Sequence, residues 1–276
     1  MTVAEALRAA AALGLDRLDA QILLLHTLQR PAHDRAWLLA HDTDEVPQPL
    51  LPRFQADCVR RVSGEPVAYL VGEKEFHGLP LQVDARVLVP RPDTETLVDW
   101  ALDVLQDVAA PRIVDLGTGS GAIALALAHA RPDARITAVD ASAPALNVAQ
   151  ANAARLGLGN VQFLQGDWLD GLDGPFELIV SNPPYIANDD PHLPALHHEP
   201  RSALAGGTDG LDDIRRIVAQ APARLAASGW LLLEHGWDQA PAVRTLLDGA
   251  GLWHPISRSD LAGIERCSGA QRAPGG

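Results

Sequence analysis

The sequence contains few lysine, cysteine and aromatic residues, and each shortage bears on which classes of protein the chain can belong to. Lys74 is its only lysine, and with 22 basic against 35 acidic side chains the net charge of the 276 residues is −13. A surface of that sign repels a phosphate backbone, which disfavours direct binding of bulk nucleic acid. The two cysteines, Cys58 and Cys267, are too few for a disulfide framework and fit a reducing compartment.

Long apolar runs are also missing. No stretch approaches the roughly 18 to 20 apolar residues that cross a bilayer. The opening residues place Glu5 in a helical pattern and lack the basic start and apolar centre of a signal peptide. We therefore expect a cytoplasmic protein without a membrane partner. Aromatic residues make up only 4% of the chain, but hydrophobic residues reach 47%, enough for a sizeable core. At about 150 residues per domain, the length predicts roughly two domains.

Residues 1–63 show helical periodicity and predict a small helical bundle. Apolar residues recur at helical spacing from Ala6 to Leu28, and a further stripe runs from Leu51 to Val62 before Ser63-Gly64. Residues 1–75 carry a net charge of −3, whereas the remainder carries −10. This milder surface is a reasonable place for a protein substrate to dock, which would make the bundle a recognition domain. A helical cap that only stabilises its neighbour is the alternative, and the pattern favours neither.

Residues 64–95 predict a linker that contains a β-hairpin, because Gly, Pro and short alternating runs replace the helical pattern. The hairpin is expected over 76–83, with its turn at Gly78.

Residues 96–276 alternate between strands and helices, which predicts an α/β domain with a mainly parallel sheet covered by helices on both faces. The predicted strands cover 112–116, 136–140, 161–165, 177–181 and 230–234. The predicted helices cover 122–130, 143–156 and 211–227, and the tail from Gly269 is expected to fray.

A glycine-rich loop follows the first of these strands. Its sequence is Gly117-Thr118-Gly119-Ser120-Gly121. Glycines allow a tight turn and a close approach of the backbone to a ligand that faces the following helix. Asp140 ends the next strand, where an acid can accept both hydroxyls of a ribose. The loop also satisfies the dinucleotide pattern G-x-G-x-x-G/A, so by itself it allows NAD, S-adenosylmethionine or a turn without a ligand.

Two later motifs favour S-adenosylmethionine over NAD. Asp167-Trp168 follows the third strand, where an acid can bind an adenine amino group and a flat ring can pack beside it. Asn182-Pro183-Pro184-Tyr185 closes the fourth strand, and the prolines end it because they lack an N–H donor. The Asn182 side-chain carbonyl, the Pro183 backbone carbonyl and the Tyr185 ring together suit a planar NH2 group.

A metal centre is not expected. His192, His197, His198 and Glu199 are close in sequence but lie in a proline-rich stretch without ligand spacing. His235 ends an apolar run and is interpreted as a structural histidine.

At these motifs the sequence resembles a class I S-adenosylmethionine-dependent methyltransferase of the N-P-P-Y type. Within that superfamily it closely resembles the protein-(glutamine) methyltransferases that modify peptide chain release factors, the PrmC/HemK group. The resemblance covers nearly the whole chain. It includes Gly64-Glu65-Pro66-Val67-Ala68-Tyr69-Leu70, Leu88-Val89-Pro90-Arg91-Pro92-Asp93-Thr94-Glu95, Glu199-Pro200-Arg201-Ser202-Ala203-Leu204 and Leu233-Glu234-His235-Gly236.

The resemblance implies a Rossmann-like, seven-stranded methyltransferase domain with a small N-terminal helical domain joined by a β-hairpin. Cofactor binding is then expected at the loop of residues 117–121, at Asp140, at Asp167 with Trp168, and at Asn182. Substrate binding is expected at Asn182, Pro183, Pro184, Tyr185 and Arg91. Asn182, Pro183 and Tyr185 are the expected catalytic residues.

The implied activity is methylation of the side-chain amide nitrogen of the glutamine in the Gly-Gly-Gln motif of release factors, by a monomeric enzyme. A ribosomal protein glutamine is the alternative acceptor within this chemistry, and an adenine amino group of nucleic acid is a further one. An NAD-dependent oxidoreductase would leave the motif at 182–185 unexplained. The C-terminus departs from the family, which usually ends in a basic-aromatic strand. Because of this difference, the sequence does not determine whether the final edge strand forms.

Overall fold

In the computed structural model, which describes residues 1–274, the chain divides into two units after Glu73. This break lies inside the segment 64–95 that the sequence predicts as a linker. No helix of the described residues is long and apolar enough to span a membrane.

The first unit is helical. Its helices are α1 (Val3–Ala12), α2 (Arg17–Thr27), α3 (Arg35–Ala40), α4 (Leu51–Val62) and α5 (Val67–Val71). Helix α1 begins at a capping box in which Thr2 and Glu5 satisfy each other's backbone N–H groups. Leu23, Leu24 and Phe54 are fully buried where the apolar faces of the helices meet. The helical expectation for residues 1–63 is thus confirmed at the level of secondary structure.

A hairpin lies at the boundary, and all of it except its first residue, Glu73, belongs to the second unit. Strands β1 (Glu73–Phe76) and β2 (Leu79–Gln82) form a two-stranded sheet. Both turn residues, His77 and Gly78, have positive φ, as a tight two-residue hairpin turn requires. The predicted turn at Gly78 is confirmed.

A seven-stranded sheet forms the centre of this unit. Its strands are β3 (Arg112–Leu116), β4 (Arg135–Asp140), β5 (Val161–Gln165), β6 (Phe176–Ser181), β7 (Leu225–Glu234), β8 (Trp253–Ser259) and β9 (Glu265–Gln271). They lie in the order β5-β4-β3-β6-β7-β9-β8. The first five in that order are mutually parallel, and β9 runs antiparallel to both of its neighbours.

Helices cover both faces of the sheet. They are α6 (Glu95–Val104), α7 (Ala122–Ala130), α8 (Ala143–Leu156), α9 (Asp212–Gln220) and α10 (Ala240–Gly249). Strand side chains alternate between two buried clusters: Ile113 of β3 belongs to one, and Val114 and Leu116 belong to the other. A sheet buried on both faces explains why its strands read as continuous apolar runs.

One predicted helix is too long. The sequence predicts a helix over 211–227, but α9 ends at Gln220, and Ala221–Ala223 forms one 3-10 turn around Pro222. Strand β7 then starts at Leu225, five residues before the predicted start, because Leu225 pairs with Phe176 of β6. The register shifts after that pair, so the early part of the strand shows no regular alternation in the sequence.

The last strand of the chain is formed, but it is not an edge strand, because β9 lies between β7 and β8. Strand β9 pairs with β7 from Trp230 opposite Gln271 to Glu234 opposite Cys267, so the expected fraying is wrong for residues 269–271. A Cβ atom on Gly269 would lie 2.4 Å from Leu232 Cδ2, so only glycine fits against β7 at this point. Residues 275 and 276 of the predicted frayed tail lie outside the described residues.

Candidate active site

The sequence motifs converge at one edge of the sheet. Strands β3, β4, β5 and β6 are parallel, and the loops at 117–121, 140–142, 166–168 and 182–185 follow their carboxyl ends. Such an edge is where an open α/β sheet binds its ligand.

The glycine loop needs its glycines for conformation. Gly117, Gly119 and Gly121 have φ values of +69°, +56° and +86°, a region that costs side-chain-bearing residues energy. A Cβ atom on Gly121 would also lie 3.0 Å from Leu125 Cδ1, inside the first turn of α7. Thr118 and Ser120, which lie between these glycines in the sequence, are buried.

The Asp115 side chain anchors the glycine loop by hydrogen bonds. Its Oδ2 accepts hydrogen bonds from Thr118 Oγ1 at 2.6 Å and from the Ala124 backbone N–H at 3.2 Å. Its Oδ1 is buried and has no hydrogen-bond partner within residues 1–274. Complete burial raises the pKa of this carboxyl to about 7. Asp115 was not among the predicted site residues, although its place just before the glycine loop is a signal for such a role.

Asp140 joins the loop to the end of β4. One carboxylate oxygen accepts from the Gly119 backbone N–H at 2.8 Å, and the other accepts from the Ser142 N–H at 2.8 Å. The carboxylate is therefore fixed at the ligand-binding edge of the sheet.

Trp168 stands beside the glycine loop. Its ring lies 3.4 Å from the position that a Cβ atom on Gly117 would occupy, so the two residues flank the same space. The Asp213 carboxyl lines the same cavity, and burial raises the pKa of this carboxyl. Asp167, by contrast, is engaged in an ion pair with Arg216 at 2.6 Å.

A cavity of about 290 Å³ opens between these loops. Seven of the predicted site residues line it, namely Gly117, Gly119, Asp140, Asp167, Trp168, Asn182 and Pro184. The others do not, namely Thr118, Ser120, Gly121, Pro183, Tyr185 and Arg91. Further lining residues had no predicted role. Leu88, Pro200, Ser202 and Ala203 lie in segments that carry the family resemblance, whereas no sequence motif pointed to Arg86, Val87, Ser142, Asp213 and Arg216.

The motif at 182–185 is anchored at both ends. Asn182 Nδ2 donates to Thr94 Oγ1 at 3.2 Å, and the Tyr185 hydroxyl donates to Glu234 Oε1 at 3.3 Å. Pro183 between them is buried. Burial raises the pKa of Glu234 to about 7 and also raises the pKa of Tyr185, whose hydroxyl therefore stays protonated.

Arg91 is bound to a carboxylate of the chain itself. Its guanidinium pairs with Glu199, a buried residue whose other carboxylate oxygen accepts from the Val89 backbone N–H at 3.0 Å. This pairing ties the segment before α6 to the loop after β6. The role of Arg91 in substrate binding stays a prediction.

The site offers hydrogen-bond acceptors and a cavity of defined shape. Both cysteines are buried, and their burial raises the pKa of each thiol, to about 11 for Cys58, so neither is an activated nucleophile. Within residues 1–274 no cluster of His, Cys, Asp or Glu side chains is arranged to hold a metal ion. His235 is buried and hydrogen-bonded through both ring nitrogens, to Gly236 O and to Ser268 Oγ. The arrangement can orient a ligand in the cavity and a polar group at Asn182.

The sequence matches two protein families over two separate ranges. Residues 2–72 match the family described as PrmC N-terminal domain, and residues 95–203 match the family described as Methyltransferase small domain.

Close relatives extend this match to nearly the full length. A release factor glutamine methyltransferase of Bordetella pertussis is 53% identical over 260 residues, which cover 93% of this chain and 95% of the relative. One from Xylella fastidiosa is 50% identical over 98% of both chains. Among solved structures, a T. thermophilus 16S rRNA methyltransferase in complex with AdoMet and guanosine aligns over 72% of this chain and 49% of its own. Its TM-score is 0.53 at 19% identity, which shows a shared fold. Residues of the helical first unit match the PrmC N-terminal domain, and relatives that are about 50% identical cover nearly the whole chain, including the unit with the seven-stranded sheet. This chain therefore belongs to the family of release factor glutamine methyltransferases.

Proposed function

We propose that the chain transfers a methyl group from S-adenosylmethionine to the side-chain amide nitrogen of the glutamine in the Gly-Gly-Gln motif of peptide chain release factors. One observation carries this proposal. Asn182 lies on the wall of the cavity that the glycine loop, Asp140 and Trp168 also line. An acceptor for a planar NH2 group and a pocket for an adenosine-type cofactor therefore share one space.

The lining residues fit the cofactor. Gly117 and Gly119 present backbone without side chains, and Asp140 offers a fixed carboxylate to ribose hydroxyls. Trp168 offers a flat apolar face to the adenine, with Asp167 at its border. When bound, the cofactor supplies an electrophilic methyl group on a sulfonium.

The residues at 182–185 would act on the glutamine amide. An amide nitrogen is a poor nucleophile because its lone pair is delocalised into the carbonyl. The Asn182 side-chain carbonyl and the Pro183 backbone carbonyl can accept both N–H bonds, which favours the positive charge that builds on nitrogen during attack. Tyr185 would hold the amide plane with its ring. In-line placement against the methyl carbon supplies the remaining contribution, and the proton can leave after transfer without a strong base.

The proposal also covers the oligomeric state, the compartment and the binding partners. We expect a monomeric enzyme that acts in the cytoplasm and does not bind nucleic acid directly, in keeping with the net charge of −13. The helical domain at residues 1–63 is the proposed recognition surface for the release factor.

The test is methyl transfer with labelled S-adenosylmethionine and three separate acceptors: a release factor, a ribosomal protein and duplex DNA. We expect label on a single release-factor glutamine, and no label when that glutamine is replaced. Label on the ribosomal protein or the DNA would instead keep the chemistry and overturn the proposed acceptor. Absence of label on all three, with the cofactor bound in calorimetry, would overturn the proposed function.

A further inference from the structure

We propose that Glu199 is a positioning residue that ties together two segments of the cavity wall outside the sheet and thereby slows the departure of the cofactor. The inference rests on the cofactor part of the proposed function, because it concerns the same cavity. It assigns a role to a side chain that does not line that cavity itself.

The lining of the cavity has two sources. One is the set of loops at the carboxyl ends of the parallel strands, which the sheet holds in place. The other includes two segments outside the sheet, which contribute Arg86, Val87, Leu88, Pro200, Ser202 and Ala203. Val89 and Glu199, which border these segments, are 110 residues apart in sequence. A tertiary contact must therefore determine where the two segments lie relative to each other.

No neighbouring strand holds the first segment. Residues 83–91 form neither helix nor strand. Pro90 and Pro92 lack an N–H group, so this stretch has few backbone donors to offer. The Val89 N–H donates to Glu199 Oε2 at 3.0 Å. A side chain from a distant part of the chain thus takes the place of a strand partner.

Both oxygens of the Glu199 carboxylate are engaged. Oε1 accepts from Nη2 of Arg91, two residues beyond Val89, so the carboxylate holds the first segment at two points. Glu199 directly precedes Pro200, and residues 201–203 form one 3-10 turn. The same carboxylate therefore also fixes the point at which the second segment begins.

The burial of this carboxylate supports a positioning role. The Glu199 side chain is only 3% exposed, against 39% for the side chain of Arg91. Moving a carboxylate out of water costs free energy that an ion pair returns only in part, so an apolar side chain often stabilises a fold equally well. An apolar side chain, however, cannot hold the Val89 N–H and the Arg91 guanidinium by directed hydrogen bonds.

The expected consequence is a slower release of the bound ligand. A ligand in the cavity contacts both segments, and it leaves faster when the two move independently. Substitutions at a binding site act mostly on the dissociation rate. Glu199 should therefore determine how long S-adenosylmethionine stays bound, whereas residues 182–185 act on the substrate amide.

The test compares two substitutions at one position. Glu199→Ala removes both contacts, whereas Glu199→Gln keeps a carbonyl oxygen for the Val89 N–H and loses the charge that pairs with Arg91. We expect the dissociation rate of S-adenosylmethionine, measured by stopped-flow displacement, to rise on the order of tenfold in Glu199→Ala and about threefold in Glu199→Gln. An unchanged rate in folded Glu199→Ala would overturn the proposal. If the alanine variant does not fold, an unchanged rate in Glu199→Gln would overturn it.

Asp133→Asn is the matched control. Asp133 also binds an arginine, Arg131 at 2.8 Å, and the backbone N–H of a distant residue, Ala110 at 2.8 Å. Asp133 precedes β4 and Ala110 precedes β3, so this contact lies at the opposite edge of the sheet from the cavity. The variant should release S-adenosylmethionine at the wild-type rate. An equal rise in Asp133→Asn and Glu199→Gln would overturn the proposal, because it would indicate a general loosening of the fold.

A second readout requires neither ligand nor activity. Amide hydrogen exchange of the free protein reports how often the Val89 N–H is released from its acceptor. We expect this amide to exchange on the order of tenfold faster in Glu199→Ala than in the wild type, and the amides of β3 to exchange at the wild-type rate. Unchanged exchange at Val89 would overturn the positioning role.

The two readouts separate this inference from the proposed function. If exchange and cofactor dissociation both become faster in the variants while the wild type methylates no acceptor, the positioning role stands and the proposed function fails. If the wild type methylates the release factor while exchange and dissociation are the same in all variants, the proposed function stands and the positioning role fails.

Discussion

At the scale of single residues, Asn182 is the side chain on which the proposed chemistry most depends. It lines the cavity, and in the proposed chemistry its side-chain carbonyl accepts a hydrogen bond from the substrate amide. Removing an oriented electrostatic partner of a transition state costs on the order of 10²–10³ in turnover. We therefore expect Asn182→Ala to lower kcat by about that factor and to weaken cofactor binding much less.

Calorimetry and a methyl-transfer assay on the same preparation measure the two losses. Asn147→Ala is the matched control, because Asn147 is exposed on α8. Equal losses of cofactor affinity and turnover would contradict the catalytic assignment of Asn182.

Asp115 gives the stability of the protein a pH dependence. Its pKa is about 7 in the folded chain because of burial, against 3.8 for the ordinary side chain. Between these values the folded state holds a proton that the unfolded state has lost, so this carboxyl makes stability fall as pH rises from about 4 to about 7. Above that window both states are ionised, and the full destabilisation remains.

Asp115→Asn should therefore lose less stability than the wild type between pH 5 and pH 8, by about 1 kcal/mol or more. Urea unfolding at the two pH values measures the difference. Asp107→Asn, at an exposed position, is the control. The buried Glu234 acts in the same direction, so some of the dependence should persist. An identical pH response in Asp115→Asn and in the wild type would exclude this explanation.

At the scale of elements, the junction between β3 and α7 is the most constrained connection at the site. Gly121 has a φ of +86° and caps α7, and a Cβ atom there would be tight against both Leu125 and Ala149. We expect Gly121→Ala to lower the free energy of unfolding by about 1–3 kcal/mol and to weaken cofactor binding. Both changes follow from a displaced loop, and chemical denaturation with calorimetry measures them.

Gly159→Ala provides the comparison for this junction. Gly159 lacks a positive φ, and a Cβ atom there would have open space around it. That variant should unfold at the wild-type denaturant concentration. If Gly121→Ala did so too, the conformational requirement at this position would be refuted.

At the scale of the whole molecule, the cavity belongs entirely to the second unit. All of its lining residues fall between Arg86 and Arg216, and the first unit ends at Glu73. We expect a fragment of residues 73–276, which keeps the whole of β1, to bind S-adenosylmethionine with the Kd of the full chain. If the helical domain recognises the release factor, the same fragment should show a raised KM for that substrate.

Circular dichroism establishes that the fragment is folded before the two constants are compared. A folded fragment that lost cofactor affinity would place part of the binding site in residues 1–72. A folded fragment with an unchanged KM would contradict the recognition role and favour the helical cap.

The sequence by itself determined the elements whose signals are local. Helices α7 and α8 and strands β3 and β5 occupy their predicted ranges, because each is an apolar segment closed by glycine or polar residues. The order of the motifs along parallel strands also indicated where they would meet.

Only the tertiary structure decided what depends on distant partners. Strand β7 begins at Leu225 because β6 lies beside it, and β9 forms because Gly269 allows close contact with β7. Thr94 lies 88 residues from Asn182, and Glu234 lies 49 residues from Tyr185, so no local pattern could link them. Periodicity reports the burial of a side chain, whereas the direction of a buried hydrogen bond is set by whichever group the fold places opposite it.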